Sequence, residues 1–148
     1  MKDKRYDALK IDNQICFPLY AASREIIKRY KPYLDEIDLT YTQYITMMIL
    51  WEEQSITVKQ LGKRLYLDSG TLTPLLKKLE AKGLITRVRP MSDERSLVVS
   101  ITREGEKLRD RAVDIPLKMA NCVDLEENEA LELYRILYKI LAKSDAEA

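Results

Sequence analysis

The stretch DSGTLTPLLKKLEAKG, residues 68–83, narrows the choice of fold more than any other part of this sequence. Leu72, Leu75, Leu76 and Leu79 stand at i, i+3, i+4 and i+7, which puts all four on one helix face. Asp68 or Ser69 supplies the N-cap and Gly83 stops the helix. Just upstream, Thr57 can cap VKQLGKRL, whose Val58, Leu61 and Leu65 form a second apolar stripe, and the β-prone SIT lies before that. Downstream, residues 84–89 and 96–101 read as strands around the polar turn PMSDER, with Leu97, Val99 and Ile101 alternating against Ser96, Val98 and Ser100. Helix, short strand, helix, tight turn, helix and hairpin make a winged helix-turn-helix, mainly α with a small β-hairpin wing.

The flanks are helical too. Ile15, Leu19, Ala22, Ile26 and Tyr30 recur at threes and fours over residues 12–34, with Asp12 as the expected cap. Thr40 or Thr42 caps a helix through Trp51. Thr102 restarts helix to about Asn121, and residues 126–143 form a last, acidic one. A chain of 148 residues is one subunit. Residues 40–102 are expected to be the winged helix-turn-helix. Residues 12–38 and 103–148 carry apolar faces that need cover, and a homodimer interface is their natural use.

Composition removes several chemistries. With no histidine, His-based triads, His metal sites and histidine pH switches are excluded. No glycine-rich phosphate loop occurs, and neither a cofactor nor a metal is expected. The most apolar window, YITMMILW, is too short to span a membrane, and no signal peptide is apparent, so a cytoplasmic protein with two reduced thiols is expected.

The net charge of +1 conceals an uneven distribution. Residues 55–95 hold nine Lys/Arg against four Asp/Glu, a net of +5, and the remainder nets −4. A basic segment in a near-neutral chain suits a polyanion, although charge clusters are as often plain solvated faces. In a helix-turn-helix the second helix enters the major groove by its N-terminal end. There Ser69, Gly70, Thr71, Thr73 and Pro74 lie opposite the leucines, with Lys77 and Lys78 a turn further on. Hydroxyls and helix N-terminal amides suit phosphates or bases, and threonine methyl or proline carbon suits a thymine methyl. Arg87 adds charge on the first wing strand. Arg95, with Asp93 two residues before it, sits on a hairpin turn where a guanidinium suits a narrow minor groove.

DERSLVVSIT resembles the wing signature of the MarR family of transcription regulators, with Ile101 where that family has leucine. YLDSGTLTPLLKKLEAKGLITR and QICFPLYAASREIIKRYKPYLDEIDLTYTQY resemble the recognition helix and first helix of its organic hydroperoxide sensors. The resemblance covers nearly the whole chain. It implies a homodimer with interlocking terminal helices on a pseudo-palindromic DNA operator. It also implies that Cys16 is a peroxide-reactive thiol, with Tyr20 and Tyr30 hydrogen-bonding it from the partner subunit. Tyr30 is 14 residues from Cys16, about 21 Å along a helix, so its own Cys16 is out of reach. A helix N-terminus and phenolic donors both favour thiolate. Pro18, read as interior to that helix, is expected to kink it by crowding the Gln14 carbonyl. Cys122 resembles the resolving cysteine of members that form an intersubunit disulfide, whereas single-cysteine members are capped by a small thiol.

The expectation is therefore a repressor, not an enzyme, released from DNA when organic hydroperoxide oxidises Cys16. The alternatives are a regulator gated by a small aromatic ligand, a one-cysteine sensor, a thiol peroxidase, and a protein-interaction module.

Overall fold

A computed structural model describes residues 4–91 and 96–147, and the expected Asp93 and Arg95 lie outside the described residues. Two short 3-10 turns lead into α1 (Cys16–Asp35), α2 (Tyr41–Glu53), β1 (Ser55–Thr57), α3 (Val58–Leu65) and α4 (Ser69–Ala81). Then come β2 (Ile85–Val88), β3 (Val98–Ile101), α5 (Arg103–Ala112), α6 (Ile115–Ala120) and α7 (Glu127–Glu147).

Most helix starts are written in side chains. Thr40 and Gln43 form a reciprocal capping box on α2, and Thr57 and Asp68 accept the N3 amides of α3 and α4. Gly83 ends α4 at φ +74°, a left-handed conformation that glycine adopts without strain. Thr102 both caps α5, through the Gly105 amide, and donates its hydroxyl to the Gly83 carbonyl at 2.6 Å. One side chain thus joins the end of the recognition helix to the start of the next.

Three expectations need correction. Asp12 does not cap α1; it lies in a 3-10 turn, and α1 begins at Cys16 with Ile15 as N-cap. Pro18 is therefore the third residue of the helix, where its missing amide has no intrahelical carbonyl to lose. The proline inside α1 is Pro32, near the far end. The helix foreseen from Thr102 to Asn121 breaks between α5 and α6, where Pro116 falls in the first turn of the new helix. The hairpin wing forms as expected, and the β-prone segment 55–57 adds a third strand to it. β1 pairs antiparallel with β3, giving a three-stranded sheet in the order β1-β3-β2, with Ile56 opposite Val99 and Arg87 opposite Val99 from the other side.

The core gathers on α2. Met47 and Leu50 are fully buried and meet Leu61 of α3, Leu72, Leu76 and Leu79 of α4, and Ile85 and Val99 of the sheet. Leu108, Ala112, Ile115 and Met119 continue it along α5 and α6. The terminal helices contribute little: α7 has no buried residue among those described, and Ile15 is 85% exposed.

Candidate functional site: a reading helix and a thiol on opposite flanks

The outward face of α4 is as its spacing requires. Leu72, Leu75, Leu76 and Leu79 are buried, while Ser69, Gly70, Thr71, Thr73, Pro74, Lys77 and Lys78 are exposed. The Asp68 carboxylate accepts the Thr71 amide at 2.7 Å, a bond that holds the carboxyl below its ordinary range. Thr73 spends its hydroxyl on the Ser69 carbonyl at 2.8 Å. A groove lined by Lys59, Lys63, Tyr66, Ser69 and Arg89 runs between α3, the start of α4 and the wing.

The basic residues of this half divide into two groups. Arg64 is paired with Glu52 at 3.2 Å and Glu53 at 2.9 Å, and Lys82 reaches Asp38 and Gln43. Lys59, Lys63, Lys77 and Lys78 have no ion pair among the described residues, and they lie on α3 and α4. Arg87 departs from its expected role. It shares the core-facing side of β2 with Ile85, and its guanidinium donates to Glu80 of α4 at 3.0 Å. The Glu80 carboxylate also accepts the Arg87 backbone amide at 3.1 Å, and these contacts hold it below the usual carboxylate range. Arg87 fastens the wing strand to the recognition helix rather than facing outward. The alternation inward at Ile85, outward at Thr86, inward at Arg87 is the signal that could have told.

The thiol side is built on α1. Cys16 is the first residue of the helix and is exposed. Tyr20 follows one turn along the same helix, its hydroxyl accepting from Arg24 at 3.1 Å and its ring beneath the Arg24 guanidinium. Tyr20 thus stands on the same face as the Cys16 of its own chain. Tyr30 lies far along α1 and belongs to a group not foreseen in the sequence. Its ring centroid is 5.0 Å from that of Tyr41 and 5.9 Å from that of Tyr44. Burial raises the pKa of all three above that of a free phenol, Tyr44 to about 12, so all remain hydrogen-bond donors at neutral pH. The signal for this group was available in LTYTQY, where Tyr41 and Tyr44 share a helix face.

Cys122 follows α6 and is half-buried against the same core. Its thiol donates to the Lys118 carbonyl at 3.4 Å, and Arg29 of α1 donates to the Cys122 carbonyl. It is close enough to Tyr30 that a negative charge on its sulfur would add to burial in raising the Tyr30 phenol. Cys122 is therefore held against α1 of its own chain at Arg29, far along the helix from Cys16.

The SarA/Rot family of transcriptional regulators matches residues 28–112, more than half the chain. The organic hydroperoxide resistance transcriptional regulator of Bacillus subtilis is 47% identical over 139 residues, covering 94% of this chain and 95% of that one. This chain is a MarR/SarA-family transcription regulator. Reduced AbfR bound to DNA, a protein of Staphylococcus epidermidis, superposes on this regulator with a TM-score of 0.78 at 30% identity, covering 96% of this chain and 97% of the other. AbfR with its disulfide formed matches with a TM-score of 0.65, also at 30% identity, over 95% and 99% of the two chains. The MarR/SarA regulator is thus a winged-helix transcription regulator. Among its described residues no helix is long and apolar enough to cross a membrane.

Proposed function

We propose that the chain is a homodimeric, cytoplasmic repressor that leaves a pseudo-palindromic DNA operator when an organic hydroperoxide oxidises Cys16. The observation that carries this reading is the separation of Cys16 and Tyr30 along α1 together with the bond from Arg29, the residue before Tyr30, to the Cys122 carbonyl. About 21 Å of helix keeps Tyr30 from its own Cys16. In an antiparallel pairing of two α1 helices, the Cys16 of one subunit docks on Tyr30 and Tyr41 of the other. That docking also brings it to Cys122. Exposed apolar residues on α1 and α7, such as Leu19, Leu131 and Ile136, supply the surface for such a pairing.

The chemistry balances without a cofactor. The Cys16 sulfur attacks a peroxide oxygen, the O–O bond breaks, and the alcohol leaves after taking up a proton, so Cys16 becomes a sulfenic acid. The Cys122 sulfur of the partner then displaces the hydroxide, which departs as water with the Cys122 thiol proton, and an S–S bond forms. Closing that bond needs Cα atoms within about 7 Å, so the Cys16 end of one subunit must close on the partner's Cys122 turn, a shift between subunits that carries the reading heads with it. In the reduced dimer, residues 40–102 face DNA, with Ser69, Gly70, Thr71, Thr73, Pro74 and Lys77 in the major groove and Arg95, steadied by Asp93, in the minor groove. Arg87 acts from behind, through Glu80.

Fluorescence anisotropy on DNA from upstream of the protein's own gene tests the reading. Binding lost with near-stoichiometric organic hydroperoxide and regained with dithiothreitol is the expected result. Binding that ignores the peroxide refutes it. A covalent dimer lost in Cys122→Ser assigns resolution to Cys122, and a monomer of added mass assigns it to a small thiol.

A further inference from the structure

Resting on the reading that Cys122 resolves oxidised Cys16, we infer that Arg29 is a positioning residue for that step. Cys122 lies just past a helix of only six residues, α6, whose N-cap Asp114 makes no side-chain cap bond. Two of the bonds at Cys122 stay local to α6: its amide donates to the Met119 carbonyl at 2.9 Å, and its thiol to the Lys118 carbonyl at 3.4 Å. Neither says where the turn sits relative to α1. Arg29 does, because its guanidinium reaches across from α1 to the Cys122 carbonyl, 93 positions away in the chain.

The chemistry of that contact suits its place. Cys122 stands just past the C-cap Asn121, so its carbonyl has no helical donor, and Arg29 supplies a charged one. Arg29 is the residue before Tyr30, so the tether and the phenol that receives the partner's Cys16 share one turn of α1. Lys118, with its ammonium 5.6 Å from the Tyr33 ring centroid, adds a second, weaker tie between the same two helices. Arg29 holds the Cys122 turn against the docking point for the oxidised sulfur, raising the local concentration of the resolving thiol.

The test uses full-length protein and one equivalent of cumene hydroperoxide. Covalent dimer is followed on quenched non-reducing gels, and Cys16 sulfenic acid by dimedone labelling. Arg29→Met should slow the covalent dimer roughly tenfold, the effect expected on losing one hydrogen bond to a charged group. Sulfenic acid should form at the unaltered rate and accumulate. Arg29→Lys, which keeps a cationic donor, should recover most of the rate, a rescue that a change in packing alone would not give. Arg29→Met resolving as fast as the unaltered chain, or Arg29→Lys as slow as Arg29→Met, overturns the inference. If the unaltered chain forms no Cys122-dependent covalent dimer, the resolving step itself fails and takes this inference with it. That outcome is distinguished by needing no Arg29 variant.

Discussion

Trp51 donates its indole N–H to the backbone carbonyl of Gly105 at 2.8 Å, a buried bond joining α2 in the centre of the winged domain to the first turn of α5. Gly105 also leaves no room for a side chain. A Cβ there would stand 2.2 Å from the Leu84 carbonyl oxygen and 2.8 Å from the Ile101 side chain. The close approach lets Thr102 tie α4, the wing and α5 into one body.

Trp51→Phe should keep the fold and lower its stability by about 1 kcal/mol, because the Gly105 carbonyl keeps its helical donor and loses only the indole's. Gly105→Ala should cost more, since backbone at Leu84 cannot yield as a flexible side chain would. Urea unfolding of the two variants, read by circular dichroism, gives both values and their order.

Pro18→Ala is expected to be nearly silent, within about 0.5 kcal/mol of the parent. Pro18 is the third residue of α1, where an amide has no helical partner. A large loss of thermal stability would show that the proline shapes the approach to Cys16.

On DNA, Lys77→Ala should weaken binding to specific and unrelated sequences alike and reduce the slope of log affinity against log salt by about 1. Thr71→Ala removes an exposed hydroxyl and methyl group on the groove side and should relax base preference with an unchanged salt slope. Anisotropy titrations on matched and mutated duplexes at several salt concentrations separate the two behaviours.

The buried tyrosines predict loss of stability in alkali. A phenol whose pKa is raised on folding contributes stability that is full below its unfolded value near 10 and lost as pH climbs through its folded value. For Tyr44 that folded value is about 12, and Tyr30 and Tyr41 shift the same way. Stability should be insensitive to these groups at neutral pH and fall between about pH 10 and 12. Tyr44→Phe should flatten that fall, as measured by unfolding midpoints across the range.

Much of the architecture was legible along the chain because helix caps, stripes and stops depend on near neighbours. Thr57, Asp68 and Thr102 mark helix starts, Gly83 marks an end, and the leucines of α4 face inward as their spacing demands. The misreadings were also local. Asp12 looked like a cap, but the chain spends residues 11–13 on a 3-10 turn and starts the helix at the thiol.

What no pattern along the chain could settle is which side chains meet when helices cross. Arg87 looked like one more outward cation until β2 packed on α4 and supplied Glu80. Tyr30 was expected on the apolar stripe of α1 and as a phenolic partner of Cys16, with no neighbours of its own. The crossings of α2 and α6 over α1 placed it among Tyr41, Tyr44 and Cys122. Helical period and capping are set within four residues, so they survive in the order of the letters. The neighbourhood of Cys122 and Arg29, 93 positions apart, exists only after the core around Met47 and Leu50 has closed and fixed the angles between helices.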